Sequence, residues 1–460
     1  MEFDFLMSRQ IGGSPELDCV IDQLIATVGL TPMSLELRQG VSLFLKDLII
    51  AALCQTDFNI RVVNFGSVPL RIFLADADLD IAVIARSASG KLLPESPCDD
   101  LLEILLEYLE PHVNLDGSFR ILSLQLIPSR VRVLKIRVAT SRGQLTADVA
   151  INKLAGTLKL PLIEAANKAI GRCHLLKRSL LVVKAWAVNE SNLLGSSKGM
   201  LASYALEILV IALFAMFPDL SRPLQVFQRF LDFYAALAWE KVVIRICGVE
   251  WRTGERPLAS LASPINENWL TEFLEMFSYP EAPAYGHHST SFPYRDVSIE
   301  DPLNRFNNLG RSVSGLSFAA LKEALNEAKA RLSGIKHDGG ALKKFFENSF
   351  GSAGLVDGSV NCKSFVASKE NNYVVSVSGF ANGGYSILAA DPRDIAIAFL
   401  AGHPDGSKLG RELDEYTAWL ANRRPKVNTW YSPPVVLLKP VRGPARTRIG
   451  SDVTEADMFQ

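Results

Sequence analysis

The sequence predicts an α+β protein, in which a mixed sheet with helices is joined to a mostly helical domain. Between about residues 57 and 155, short β-branched or alternating segments interleave with helical ones, a pattern typical of a sheet covered by helices. From 156 to 332 the apolar residues follow a helical period instead. The chain has 460 residues, of which 48% are hydrophobic, so it can bury more than one core.

The same patterns predict the individual elements. Strands are expected at residues 60–64, 79–85, 119–126, 129–139 and 144–151. Helices of the second domain are expected at residues 161–171, 178–189, 198–217, 224–237, 268–277 and 317–332. Two earlier helices, at 16–28 and 34–54, belong to an N-terminal segment (1–56) that we expect to pack on the helical domain. The region 333–460 is predicted to hold a hairpin near 372–389, a helix at 412–423 and a flexible tail, and its fold is not assigned.

The charge balance limits how nucleic acid could bind. Lys and Arg number 48 against 49 Asp and Glu, a net charge of −1, so any RNA contact must be local rather than spread over the surface. A basic stretch between Arg423 and Arg448 could hold RNA backbone, or it could be a solvated tail. No zinc knuckle or RNA-binding strand motif is visible, so any specificity for a nucleic acid is expected from a partner protein.

Cysteine usage and hydropathy indicate the compartment. The six Cys form no C-x-x-C pair, which argues against a zinc site and a disulfide framework and favours a reducing, intracellular location, cytoplasmic or nuclear. The N-terminus carries acidic residues where a signal peptide needs basic ones. The apolar segment 200–217 contains Glu207 at its middle, so we predict a buried core helix rather than a membrane span.

Two carboxylates lie at the start of a predicted strand. Gly66 and Ser67 follow the first strand, and after ten intervening residues come Asp78 and Asp80, separated by one apolar residue. Residues i and i+2 of a strand point to the same face, so both carboxylates could bind the same Mg²⁺ ions. Two such ions activate an attacking hydroxyl and stabilise a leaving oxygen in phosphoryl transfer. Taken alone, such a pair is usually a solvated turn, and we assign Asp76 to that turn.

A third carboxylate is expected from a neighbouring strand. Asp148 lies between apolar residues in the segment 144–151. A buried Asp is costly unless it faces a cation or donors, and shared metal ions would supply the cation. The alternative is an edge-strand Asp whose hydrogen bonds are satisfied.

The order of these residues resembles the signature of the polymerase-beta-like nucleotidyltransferases. An apolar residue precedes Gly66-Ser67, ten residues separate that pair from Asp78 and Asp80, and Asp148 follows between apolar neighbours. Three further segments, at 148–156, 180–210 and 299–314, are similar to the template-independent terminal RNA nucleotidyltransferases, the poly(A) and poly(U) polymerase group. The similarity covers about residues 40–332.

This resemblance implies a fold, an activity and a set of site residues. It implies a polymerase-beta-like palm (57–155) and a helical central, PAP-associated domain (156–332) that carries a nucleotide recognition motif. It implies transfer of nucleotides from an NTP to an RNA 3′ end, with Mg²⁺ (or Mn²⁺) bound by the catalytic residues Asp78, Asp80 and Asp148. Nucleotide contacts are implied for Gly66, Ser67, Asn152, Lys184, Ser203, Tyr204 and Asn307.

Several alternatives stay open. Members that add uridylyl groups usually carry His where this chain has Asn307, and members that add adenylyl groups often carry Asn, so the resemblance favours ATP over UTP. Many members carry a second basic residue one turn after Lys184, where this chain has Val188, and Lys177 and Arg178 are candidate replacements. Without the resemblance, Lys184 would be interpreted as a snorkelling lysine, Tyr204 as a core aromatic and Asn307 as a turn residue. Rival functions are transfer to a small acceptor and a catalytically silent scaffold.

Overall fold

The computed structural model describes residues 14–29, 31–128, 132–152, 155–253, 260, 262–276, 291–335 and 337–351. The predicted hairpin, helix and tail beyond residue 352 lie outside these residues. The strands are β1 (Asn59–Phe65), β2 (Leu79–Arg86), β3 (Phe119–Ile127), β4 (Val133–Thr140), β5 (Gly143–Ile151), β6 (Val242–Arg245), β7 (Gly248–Trp251), β8 (Glu300–Asp301) and β9 (Asn304–Asn308).

The helices of eight or more residues each present an apolar face or are buried throughout. They are α1 (Pro15–Val28), α2 (Pro32–Leu53), α4 (Glu95–Leu109), α5 (Ala155–Ile170), α6 (Leu175–Ala185), α7 (Ser203–Met216), α8 (Pro223–Ala236), α9 (Glu267–Met276) and α10 (Leu316–Ser333), with the short α3 (Ser67–Leu70), α11 (Gly339–Phe345) and α12 (Glu347–Gly351) between or after them.

A mixed five-stranded sheet with the order β1-β2-β5-β4-β3 forms the first domain. β2 and β5 pair in parallel, and the other neighbours are antiparallel. In register, Phe65, Asp80, Asp148 and Lys135 form one row across four strands. Side chains in such a row point to the same face of the sheet. The sheet therefore brings both predicted strand carboxylates to one face.

The other face of the sheet carries its main core. Alternating residues of the central strands, such as Ile81, Val83, Ile136 and Val149, are buried there against α2 and α4. This alternation is what a sheet with one covered face requires. On the opposite face, a small cluster that includes Leu158 of α5 covers β1 and β2. Beyond this cluster, exposed Arg137 on β4 marks the more open part of that face.

The second core is helical. Helices α1, α5 to α8, α10 and α11 supply most of its buried residues. In α7 every residue from Ala205 to Met216 is buried, Glu207 included. This helix lies inside the core, as predicted for residues 200–217.

The N-terminal helices divide between the two cores, which corrects one expectation. α1 packs in the helical core through residues such as Leu17 and Ile21. α2 was expected there too, but it lies on the sheet, because Val41, Leu45 and Ile49 form a stripe at four-residue spacing that the sheet core buries. The span Pro15–Leu53 is long and apolar enough to cross a membrane by length and composition alone, although α1 ends at Val28, α2 begins at Pro32 and the two pack in different cores.

Candidate active site

The three predicted carboxylates meet at the edge where β2 begins. Asp78 immediately precedes β2, Asp80 is its second residue, and Asp148 lies opposite Asp80 on β5. Parallel pairing of β2 and β5 sets this register, since both strands enter the sheet in the same direction. The structure thus brings together Asp78, Asp80 and Asp148, whose metal and catalytic roles stay predictions.

Gly66 supports the Asp80 carboxylate through its lack of a side chain. It follows β1 directly, with φ 76° and ψ −145°, a backbone conformation that glycine adopts without strain. A Cβ placed there would lie 1.9 Å from Asp80 Oδ2. The carboxylate therefore occupies the space that any other residue at position 66 would fill. Ser67 begins α3 beside it and is half-buried.

A lysine lies among the carboxylates. Lys135 Nζ on β4 is 2.9 Å from Asp148 Oδ1 and donates a hydrogen bond to Asp78 Oδ2 at 3.2 Å. Within the described part of the chain, no three acidic, His or Cys side chains form a ready metal cluster. This ammonium is the positive charge that the structure provides between the acidic groups, and a sequence pattern alone did not reveal it.

The donor set is suited to a hard divalent cation. Burial raises the pKa of Asp80 to about 7, with Asp148 and Asp78 adding to the effect and Lys159 and Lys135 opposing it. Asp148 Oδ1 is buried and accepts no hydrogen bond of good geometry, even with Lys135 close by. Carboxylate oxygens on one face, one of them without a hydrogen bond, are the ligands that Mg²⁺ prefers. The residues present therefore fit Mg²⁺.

The pKa of Asp80 leads to a prediction about stability. The unfolded chain releases the Asp80 proton near pH 3.8, whereas the folded, metal-free chain keeps it until about pH 7. The folded state therefore holds more protons between these values, and its stability falls as the pH rises. In EDTA, unfolding free energies at pH 5 and pH 7.5 should differ by about 2 kcal/mol more in the unaltered protein than in Asp80→Asn. Equal pH dependence in the two proteins would contradict the prediction.

Arg38 positions the approach to Asp78 and was not anticipated from the sequence. On α2 it is 1% exposed, and its guanidinium donates to the carbonyls of Ala75 at 2.9 Å and Ala77 at 2.8 Å. The same group lies 4.4 Å from the centroid of the Phe73 ring. Arg38 thus fixes the turn that delivers Asp78, because its Nη2 bonds to two backbone oxygens of that turn.

Asn152 is not brought into this site, in contrast to the expectation. Its side chain accepts from Ala85 N and donates to Ala85 O, each at 2.8 Å, and its backbone has φ 50°. These bonds fasten the end of β5 to the end of β2. Asn152 is four residues past Asp148 on an extended chain, roughly 13 Å away. It therefore serves the sheet rather than a nucleotide beside the carboxylates.

Lys184 has an acidic partner that the sequence did not reveal. Its Nζ lies 2.8 Å from Glu207 Oε1 of α7, and its side chain is 5% exposed. Burial lowers the pKa of Lys184, while Glu207 opposes that change. The cation is thus paired with Glu207, and its contact with a nucleotide stays a prediction. The suggested substitutes are also engaged, since Lys177 pairs with Glu164 and Arg178 with Asp22.

The hairpin β8–β9 connects the predicted base-binding residues. Tyr204 OH donates to Asp301 Oδ1 at 3.3 Å, and Asn307 Nδ2 donates to Asp301 Oδ2 at 2.9 Å. Burial raises the pKa of Asp301, and these donors oppose the rise. Arg311 donates to Asn307 Oδ1 at 2.6 Å. The tyrosine ring and the Asn307 amide are thus fixed relative to each other through one buried carboxylate.

The last predicted nucleotide-binding residue is Ser203, and the residue after Asn307 is a second, buried asparagine. Ser203 is the exposed first residue of α7, directly before Tyr204. Asn308 is 1% exposed, and its amide bonds to the backbone of Ile299, Gly310, Val297 and Pro293. Asn308 therefore shapes the hairpin, whereas Asn307 is the amide left nearer the surface.

Comparison with known proteins bears on the fold. Residues 170–350 match the PAP/OAS1 substrate-binding domain. No curated protein matches the chain significantly. Similar solved structures include Cid1 with its short product ApU (15% identity, TM-score 0.50, covering 73% of this chain and 98% of that chain). They also include the Cid1 poly(U) polymerase with MgGTP (15%, 0.51, 72% and 98%) and a cytoplasmic RNA terminal U-transferase (15%, 0.50, 72% and 97%).

These similarities confirm the fold that the motifs predicted. The chain is an α+β protein with the fold of the Cid1 terminal transferases, a mixed sheet joined to a PAP/OAS1-type helical domain. Cid1 structures of this fold hold magnesium nucleotides, MgGTP in one and Mg 3′-dATP in another. The nucleotide specificity of the present chain is a separate question.

Proposed function

We propose that the chain is a template-independent RNA 3′-terminal nucleotidyltransferase that adds AMP from ATP. The observation that carries the proposal is that Asp78, Asp80 and Asp148 lie together at the start of β2 and on the adjacent strand β5, with Gly66 in close contact with Asp80. In this fold such an edge lies beside a helical domain whose hairpin holds an aromatic ring and an amide. That combination suits phosphoryl transfer next to a bound base.

The proposed reaction joins the RNA 3′-oxygen to the α-phosphorus of the nucleotide. The bond from that phosphorus to the pyrophosphate oxygen breaks, and pyrophosphate leaves. Mg²⁺ (or Mn²⁺), held by Asp78, Asp80 and Asp148, would supply charge for the attacking and leaving oxygens. A carboxylate oxygen of Asp148 receives the proton of the 3′-hydroxyl. Gly66 and Ser67 offer backbone and hydroxyl donors to the phosphates.

Base binding is assigned to Tyr204, and base selection to Asn307. The Tyr204 ring provides a stacking surface, worth about 1–3 kcal/mol per base and tolerant of any base. The hydrogen bond that Asn307 Nδ2 donates to Asp301 holds the amide in a fixed position at the base edge. An Asn there favours ATP over UTP by the resemblance noted above, and uridylyl transfer by the same mechanism is the alternative.

We further propose that a protein partner selects the target RNA and that the enzyme acts inside the cell, in cytoplasm or nucleus. The near-zero net charge supports local rather than general RNA affinity. Among the described residues, Cys19, Cys54, Cys98, Cys173 and Cys247 form no disulfide, which is compatible with a reducing compartment.

Primer extension tests the proposed function. The purified protein is incubated with a single-stranded RNA, Mg²⁺ and each of the four NTPs in turn, beside Asp78→Ala/Asp80→Ala. We expect extension, best with ATP, that the double variant loses by at least about 1000-fold, because phosphoryl transfer depends on the bound ions. Asp76→Ala is the matched control, since that exposed acidic residue lies in the preceding turn and should leave extension unchanged.

Each other outcome selects a different function. Best extension with UTP would assign uridylyl transfer. If labelled nucleotide appeared on a small molecule but not on RNA, the acceptor would be that small molecule instead of an RNA 3′ end. No transfer with any NTP, in Mg²⁺ or Mn²⁺ and with the protein folded, would contradict an enzyme that acts alone and favour a silent scaffold.

A further inference from the structure

Three helices bury an uneven set of charges next to the candidate active site. Glu207 of α7 is 1% exposed, and Lys184 of α6 lies 2.8 Å from one of its oxygens. Lys159 of α5 lies 3.5 Å from the other. One carboxylate thus faces two ammonium groups, and the set has a net charge of +1.

The excess positive charge is accessible at Lys159. The Lys159 side chain is 13% exposed, against 5% for Lys184. Glu207 Oε2, the oxygen on the Lys159 side, has no hydrogen-bond partner within the described residues, so the 3.5 Å contact leaves Lys159 loosely held. An ammonium group has three donors, and the Glu207 carboxylate lies on only one side of Lys159. The remaining donors are suited to an anion on the opposite side.

Lys159 also lies between the parts of the site that a nucleotide must span. Its Nζ is 5.3 Å from the centroid of the Tyr204 ring, and that tyrosine bonds to Asp301 of the recognition hairpin. Toward the sheet, the preceding residue Leu158 packs with Ala82 and Ile84, which lie on the same face of β2 as Asp80. Lys159 therefore lies on the helix that joins the predicted base-binding ring to the sheet face of the predicted metal-binding carboxylate.

We propose that Lys159 is the cation that binds the phosphate groups of the incoming nucleoside triphosphate, and that the Glu207 carboxylate holds Lys159 in position. This inference rests on the proposed function. It assigns a second basic contact to the triphosphate. Val188 cannot supply this contact, and Lys177 and Arg178 are paired with other carboxylates. Without nucleotide, Lys159 covers one face of Tyr204. On binding, it exchanges this contact for the phosphates and leaves the ring to the base.

Nucleotide affinity tests the inference. The Mg²⁺ complex of α,β-imido-ATP, which resists transfer, is titrated calorimetrically into the full chain without RNA, and AMP is titrated in parallel. Lys159→Gln should weaken binding of the triphosphate analogue by at least about tenfold, because a charge-assisted contact is lost, and weaken AMP less. Lys159→Arg should retain most affinity. Lys177→Gln, which removes a paired lysine from the neighbouring helix, is the matched control and should bind normally.

A second measurement needs no variant. Acetylation of the unaltered protein by an amine-reactive reagent, mapped by mass spectrometry, should be slowed at Lys159 but not at Lys177 by saturating nucleotide analogue. Equal acetylation of Lys159 with and without nucleotide would overturn the inference, as would unchanged analogue affinity in Lys159→Gln. Failure of the unaltered protein to bind the analogue at all would overturn both the inference and the proposed function.

Discussion

Replacement of Gly66 by alanine should reduce nucleotidyl transfer by roughly 100-fold or more, since a displacement of about 1 Å at a catalytic group costs that much. The added Cβ would lie 1.9 Å from Asp80 Oδ2, so the carboxylate must leave its position opposite Asp148. Positive φ at residue 66 adds backbone strain. Primer extension measures the loss, and circular dichroism shows whether the variant is folded.

Gly90 provides the matched control for this substitution. It also has a positive φ, 82°, but a Cβ there would meet nothing within 4 Å. Gly90→Ala therefore carries the backbone strain without the collision and should keep nearly full activity. If Gly66→Ala and Gly90→Ala retained equal activity, the contact between Gly66 and Asp80 would have no catalytic consequence.

Replacement of Glu207 by glutamine should destabilise the protein by roughly 3–5 kcal/mol, the usual cost of leaving a buried charge without its partner. Lys184 is almost fully enclosed and loses its 2.8 Å ion pair, and Lys159 loses its carboxylate partner at 3.5 Å. Urea unfolding, followed by tryptophan fluorescence, measures the change.

Glu164→Gln is the comparison for this prediction. Glu164 also pairs with a lysine of α6, Lys177, but its side chain is 29% exposed. Pairs of that kind contribute about 0–1 kcal/mol. A double variant, Lys184→Met with Glu207→Gln, should regain part of the lost stability because it removes the unpaired charge. Equal effects of Glu164→Gln and Glu207→Gln would mean that burial does not set the value of the Glu207 pair.

The sequence could predict the parts of the site that depend on local pattern. Asp78 and Asp80 share a face because of strand periodicity, and Asp148 was identifiable as a polar residue in an apolar strand. The order of strands and helices predicted the fold for the same reason. The helix α2 was assigned to the wrong core, because an apolar stripe predicts that a helix packs but does not identify the core against which it packs.

The errors concern residues whose partners are distant in sequence. Asn152 was expected at the nucleotide, but it is bound by the backbone of β2, 67 residues earlier. The acidic partner of Lys184, Glu207, comes from another helix and was not foreseen. Arg38, Lys135 and Lys159 were missed because a lone basic residue on a helix or strand is usually solvated. Only the tertiary arrangement shows that each faces an acidic group or the turn that carries one.

The division of the helical core between the two ends of the described chain has a consequence for biosynthesis. α1 is completed at residue 28, whereas α11, which supplies Leu342 and Phe345 to the same core and bonds to Glu16, begins at residue 339. At about 5–20 residues per second, the ribosome needs roughly 15 to 60 s to close that gap. The sheet, encoded in between, can fold early. Until α11 emerges, the part of the α1 face that α11 covers stays exposed, although α6 and α8, which also contact α1, are synthesised earlier.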